Sequence, residues 1–299
     1  MVALLLLSLA GQHPDTTRAE LWAPHRTYDS HQKEYRDFET LAAAASRADV
    51  VFLGEQHDDT GTHRMELALL QAIARRRGNV VLALEMFERD VQPILDQYLA
   101  GSISEELFLK GSRPWPAYLT DYRPLVEFAK TRGWKVVAGN VPRSLVGMNG
   151  VASKGLDAIL QRTDSTRSWA ATEFQCPKDD YFKRFAISMG SHPTGNGPPP
   201  TPAELARVTE RFYQAQCVKD ETMAESIARV RSDASAPLVI HYNGSFHSDF
   251  GEGTAARTKR RLPNAKIVIV SAVPVTSFDS VDAKGMRKQG DWLLFVLQH

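Results

Sequence analysis

The sequence predicts an α/β fold: a mostly parallel β-sheet flanked by helices, with a small helical insert domain over the carboxyl edge of the sheet. Three observations predict it. Short apolar runs rich in Val, Ile, Leu and Phe recur without polar interruption, as strands buried on both faces require. Segments of helical period separate those runs. From Ser144 to Ala236 no strand is convincing, and that stretch is far longer than one crossover helix needs.

The elements follow in order. Asp37 to Ser46 is rich in alanine and reads as a helix. Val50 to Leu53 form the first buried strand, and Gly54 lets the chain turn into Glu55-Gln56-His57-Asp58-Asp59. A helix then runs from about Gly61 to Arg77, with Met65, Leu69, Leu70 and Ile73 on one face and Gly78 as its stop. Val80 to Leu84 are the second strand, ending in Glu85. Asp90 to Leu99 and Glu105 to Leu109 read as short helices. Arg113 to Pro124 is a loop dense in aromatics and prolines, and Pro124 suits the first turn of a helix from Leu125 to Thr131. Trp134 to Ala138 form the third strand, followed by Gly139-Asn140-Val141-Pro142-Arg143. Inside the insert, Leu205 to Tyr213 and Glu221 to Arg231 read as two helices, with a proline-rich loop, His192 to Pro202, before them. Leu238 to Ile240, Ile267 to Val270 and Trp292 to Leu297 complete the strands, and Ala255 to Arg261 form a helix. Residues 1–28 are a signal-like segment and mobile N-terminus, 29–143 with 237–299 the α/β core, and 144–236 the insert.

Composition narrows the function classes. A formal net charge of +1 gives no electrostatic case for nucleic acid or an anionic membrane as partner. Leu4 to Leu7 with Leu9 are too short to span a bilayer, so no transmembrane anchor is expected. Ser8-Leu9-Ala10 followed by Gly11 fits a secretory cleavage site, although a basic start is missing. Export to the periplasm or cell envelope is therefore the expectation. Cys176 and Cys217 are the only cysteines. Two buried free thiols are one reading, and in an exported chain one disulfide inside the insert is the other and the expected one.

Four strands end in polar residues: Glu55 with His57, Glu85, Asn140 with Arg143, and His241 with His247. In an open α/β sheet, such ends converge on the edge where ligands bind. Two carboxylates and two or three histidines suit a divalent metal, with Glu55, His57 and Glu85 as ligands. They suit metal-free acid–base chemistry equally, with Glu55, His57, Glu85 and His247 as catalytic candidates. His241, following apolar residues, reads by itself as a buried, hydrogen-bonded side chain.

Several motifs occur in one order: Gly54-Glu55-Gln56-His57, Leu84-Glu85-Met86-Phe87, the loop with Tyr122-Arg123-Pro124-Leu125, Asn140-Val141-Pro142-Arg143, Gln216 to Ala224, and Gly244-Ser245-Phe246-His247. Together they resemble the ChaN-like haem-binding lipoprotein family, and more remotely the erythromycin esterases and the Tiki/TraB metal-dependent peptidases. The resemblance covers roughly Val50 to Val270. It implies a homodimer holding two haems face to face, haem iron bound by a tyrosine, and propionates met by basic side chains or histidine. Tyr122 is the first choice for that ligand and Tyr118 the second, with Arg143 and His247 as cleft contacts; a phenolate oxygen suits ferric iron. The chain departs from the family where Gln12 replaces the lipobox cysteine, and in the insert carrying Cys176 and Cys217. The resemblance thus implies haem binding in the service of iron acquisition, and the esterase and peptidase relatives imply a hydrolase as the alternative.

Overall fold

The structure is a computed structural model and describes residues 23–190 and 201–298. Its eight strands are β1 (His25–Asp29), β2 (Glu34–Arg36), β3 (Val50–Glu55), β4 (Val80–Glu88), β5 (Val136–Asn140), β6 (Leu238–Gly244), β7 (Ile267–Val275) and β8 (Trp292–Leu297). They form one sheet in the order β2-β1-β8-β7-β3-β6-β4-β5. β1 pairs antiparallel with β2 and β8, and every other pairing is parallel. The six expected strands are all present, each at or beyond its expected length at the carboxyl end.

Alternation along the strands divides the core. Val51 and Leu53 face a cluster built with α1 (Phe38–Ser46), α2 (Thr60–Ala74), α3 (Gln92–Leu99), α4 (Glu105–Ser112) and α5 (Arg123–Thr131). Val50 and Phe52 face the opposite cluster, with Ile227, Val230 and Ala255. Both faces are covered, so the strands read as continuous apolar runs.

Between β5 and β6 lie the short helices α6 (Arg143–Val146), α7 (Val151–Lys154) and α8 (Asp157–Leu160), a 3-10 turn at Ser165–Trp169, α9 (Asp180–Gly190), and then the long α10 (Pro202–Arg231). α11 (Gly253–Arg261) follows β6, and α12 (Ala283–Met286) precedes β8. The two helices expected at 205–213 and 221–231 are one. Nothing between them breaks a helix, and Thr201 and Glu204 close a capping box at its start. The first half of α10 packs in the insert through Ala215 and Val218, and the second half lies on the sheet through Ile227 and Val230.

The N-terminus needs a correction. His25–Asp29 is a strand, with Tyr28 buried at 2% exposure, where a mobile segment was expected to reach Tyr28. Five residues of mixed polarity carry no periodic signal; the strand forms because β8 offers it a row of backbone partners. The signal-like segment itself lies outside the described residues, as does most of the proline-rich loop. Among the described residues no helix is long and apolar enough to cross a membrane.

β3 and β4 are consecutive strands, yet β6 lies between them. The chain therefore winds outward through β4 and β5, returns to fill the gap, and proceeds to β7 on the other side of β3. The crevice this reversal opens lies at the carboxyl ends of β3, β6 and β4.

Candidate functional site

At the end of β3, Gly54 passes close beneath the chain that follows β6. A Cβ there would stand 2.8 Å from Ser248 Oγ and 3.0 Å from Ser245 Cα, so only glycine permits the approach. Glu55 turns inward and is 1% exposed. Its Oε1 accepts from His57 Nδ1 at 2.6 Å and from the Tyr122 hydroxyl at 2.7 Å. The first of these bonds puts the His57 proton on Nδ1, and Nε2 has no hydrogen-bond partner among the described residues. The ring stands edge-on to Trp115 at 4.8 Å, and its side chain is 44% exposed.

Glu85 sits where the pairing of β4 with β5 shifts register, between Leu84 and Glu88. Such an irregularity re-aims a side chain at a strand end. Asn140 at the end of β5 repairs the gap: its Nδ2 donates to the Glu85 carbonyl at 3.1 Å, and its Oδ1 accepts from Val141 N at 2.8 Å. The Glu85 carboxylate accepts the Gly244 backbone N–H at 2.9 Å on Oε2 and faces His247 Nε2 at 3.3 Å through Oε1. Gly244 is the second close approach, since a Cβ there would meet His57 Nε2 at 2.8 Å.

His247, on the helical turn Ser245–His247, is held by α10. Its Nδ1 donates to Asp220 Oδ1 at 2.7 Å. Asp220 also accepts from Thr254 at 2.8 Å and from the Tyr181 hydroxyl at 2.9 Å. Burial opposes charge on His247, but the Glu85 and Asp220 carboxylates outweigh it and raise its pKa to about 10. In return, the His247 charge overcomes burial and holds Glu85 and Asp220 below the usual carboxylate range. Burial also opposes charge on His57, and the Glu55 bond with the Glu85 charge reverses that into a raised pKa.

His57, Glu85 and His247 share a cleft of about 600 Å³. Its walls are apolar and aromatic, from Trp115, Phe185, Met189, Phe212 and Phe246, and its cations are Arg143 and Lys219. Arg143 also lies 5.8 Å from the Trp115 ring. Glu55 is not in the cleft but behind His57, so Glu55, His57 and Glu85 do not aim donors at one point. Tyr118 and Tyr122 are not brought into it either. Both rings are buried, at 2% and 1% exposure; Tyr122 is spent on Glu55, and Tyr118 packs against Phe87 and Phe108. Burial pushes both phenols well above their ordinary pKa. His241 is fully buried against the Ala83 carbonyl at 3.0 Å, and burial lowers its pKa to about 4.

Sequence reasoning assigned no role to Asp220, Gln216 or Lys219, although all three lie in a quoted motif. It also missed His63 and Glu66, which share the buried side of α2 and bond to each other at 2.9 Å. The signal was there: polar residues three apart on a face that also carries Leu69, Leu70 and Ile73 must be partnered inside. Burial, then the neighbouring Glu66, push Glu55 up to about 8, and burial pushes Glu66 up to about 8. Cys176 and Cys217 are bridged, with Cα atoms 5.7 Å apart, which ties the segment before α9 to the helix carrying Gln216 and Asp220.

Comparison with known proteins bears on this architecture. ChaN of Campylobacter jejuni, whose structure is described as binding haem cofacially, is 19% identical, with a TM-score of 0.65 over 91% of this chain and 96% of that one. At that identity the likeness establishes the mostly parallel α/β fold. An erythromycin esterase, a mutant of EreC in its open conformation, is a more remote likeness, 14% identical, with a TM-score of 0.44 over 87% of this chain and 81% of that one. The chloroplastic protein RETICULATA-RELATED 5 of Arabidopsis thaliana is 24% identical over 255 residues, 82% of this chain, and the chain spans about a third of that relative's length, 33%. The family described as haem-binding uptake, Tiki superfamily, ChaN matches residues 41–258, from α1 to α11, and so takes in every side chain of the cleft. The chain belongs to that family.

Proposed function

We propose that the protein binds haem in this cleft, with His57 Nε2 rather than a tyrosine as the iron ligand, and that it serves haem or iron acquisition outside the cytoplasm. One observation carries the reading: a cleft with apolar aromatic walls holds one free imidazole nitrogen backed by a buried carboxylate. The donor set fits the group. A histidine that gives its other N–H to a carboxylate is a more basic, oriented ligand. Trp115 and the Phe185, Phe212 and Phe246 walls suit the faces of a porphyrin, and Arg143 and Lys219 suit its propionates. Family membership supports the same ligand, and the Cys176–Cys217 bridge supports an oxidising compartment. The homodimer implied by the family belongs to this proposal.

A hemin titration followed by visible absorption tests it. The expected result is saturable binding with a histidine-type ferric spectrum that His57→Ala abolishes and Tyr122→Phe leaves unchanged. A spectrum that changes with Tyr122→Phe and not with His57→Ala returns the ligand to the tyrosine.

A second reading, a hydrolase, is favoured by one specific feature. Two carboxylate-paired histidines, Glu55–His57 and Asp220–His247, flank Glu85. In that reading His57 Nε2 takes a proton from water or a substrate hydroxyl. As His57 gains the proton, Glu55 and Glu85 stabilise the imidazolium that forms, and His247 holds Glu85 in place. A divalent metal fits this arrangement poorly, because both nitrogens of His247 already face carboxylates. A chain that takes up no hemin and cleaves activated esters, with loss in His57→Ala, establishes the hydrolase instead.

A further inference from the structure

Behind His57, on the side away from the cleft, Glu55 at the end of β3 meets His63 and Glu66 of α2. Their nearest ligand-type atoms lie within 4.8 Å of one another, and the residues are 1%, 4% and 0% exposed. His63 Nε2 lies 3.2 Å from the His57 carbonyl oxygen, which can only accept, so a proton sits on Nε2. Nδ1 then turns its lone pair toward Glu66 Oε2 at 2.9 Å and Glu55 Oε2 at 3.6 Å. A lone pair facing two carboxylates is repulsive unless positive charge lies among them. Two further groups make the same demand: Glu55 Oε2 and Glu66 Oε1 are buried and accept from no donor outside the pair, and the two carboxyl groups lie within hydrogen-bonding reach of each other. Two carboxyl groups in contact at this depth need a proton or a cation between them.

We infer that Glu55, His63 and Glu66 form a buried site for one divalent cation that accepts mixed nitrogen and oxygen ligands, such as Zn²⁺ or Mn²⁺. Two carboxylates match its charge, and the imidazole adds a neutral donor. The ion gives Nδ1 and both carboxyl groups a shared partner at once. Glu55 Oε1 stays with His57 and Tyr122, so Glu55 joins the ion to the orientation of His57. The site is separate from the cleft, whose lining includes none of the three residues. Protons held among the same side chains are the rival occupant.

The test uses the full chain, produced with added Zn²⁺ or Mn²⁺, dialysed against EDTA, and assayed for metal before and after unfolding in guanidinium. The expected result is about one equivalent retained in the folded protein and released on unfolding. Glu66→Gln should lose the ion, while His247→Ala, altered only in the cleft, keeps it. Wild type retaining no metal overturns the inference in favour of protons, and metal retained in Glu66→Gln overturns it as well. Where Glu66→Gln does not fold, or both variants lose the ion, X-ray absorption at the metal edge of the wild type decides. One imidazole ligand supports the site; none or two overturn it. None of these readouts depends on haem.

Discussion

The two turns that carry the cleft histidines share a spelling, Gly-x-x-His, and differ in chemistry. In Gly54-Glu55-Gln56-His57 the carboxylate partner comes from the same strand end, two residues before the histidine. In Gly244-Ser245-Phe246-His247 it comes from α10, as Asp220, 27 residues earlier. The first arrangement leaves one ring nitrogen free, in a side chain that is 44% exposed. The second places a carboxylate at each nitrogen of a side chain that is 7% exposed. Spacing set the position of each ring at a strand end; the partner set its role. In the proposed readings, one is a ligand or base, and the other is a fixed cation.

The comparison breaks most severely at Asp220. Asp220→Ala strips His247, Thr254 and Tyr181 of a shared acceptor, and a broken buried pair of this type costs about 3–5 kcal/mol. Urea unfolding should show that loss, with no comparable loss for an exposed control such as Asp58→Ala. Next comes pH. A histidine raised from 6.5 to about 10 adds stability that is fully present below pH 6.5 and lost as pH rises through about 10. The wild-type unfolding free energy should therefore fall across that window, by a few kcal/mol in all. His247→Gln should flatten that part of the profile; an unflattened profile would show that His247 is not the charged member.

The exposed histidine responds differently. Glu55→Gln alters the acceptor that orients His57, and loss of such an outer partner lowers ligand affinity about 10- to 100-fold. Hemin titration should read that change. The smallest expected effects lie at the glycines, where the two turns press on one another. Gly54→Ala meets backbone at 3.0 Å and should cost roughly 1–3 kcal/mol of stability. Gly244→Ala meets only the His57 ring, which can swing outward, so hemin affinity should fall with little change in the unfolding midpoint.

Much of this was legible in the residues. Uninterrupted runs such as Val50 to Leu53 announced strands buried on both faces, and polar residues just past them announced a crevice. The side of the strand on which a polar group past the turn falls was not legible. Glu55 continues the alternation of Val51 and Leu53 on the α2 side of the strand, and His57 is outside because the chain turns after Glu55, which no period predicts. Tyr122 stood in a loop of prolines and aromatics that suits an exposed ligand equally well; its hydroxyl instead found Glu55, 67 positions earlier. Asp220 was hidden for a different reason. α10 was read as two helices, and although the insert containing Asp220 was placed over the carboxyl edge of the sheet, no period singled out Asp220, in the stretch between those helices, as the partner of a histidine. β1 was invisible because its partner, β8, comes at the opposite end of the chain.

The position of β6 has a consequence for how the molecule assembles. β3 and β4 are made early and close together in sequence, but neither can bond to the other in the finished sheet. Each keeps an open edge toward a vacant slot until Leu238–Gly244 arrives, after the whole of α10. Any fragment ending before Leu238 therefore leaves three apolar edges unpaired, both edges of β3 and one of β4, since β7 is also still to come, and such edges are where nonspecific association begins. Contacts of such long sequence separation are slow to form. The strand that closes the slot also delivers Gly244 and His247, so the cleft is completed in the same step that closes the gap between β3 and β4.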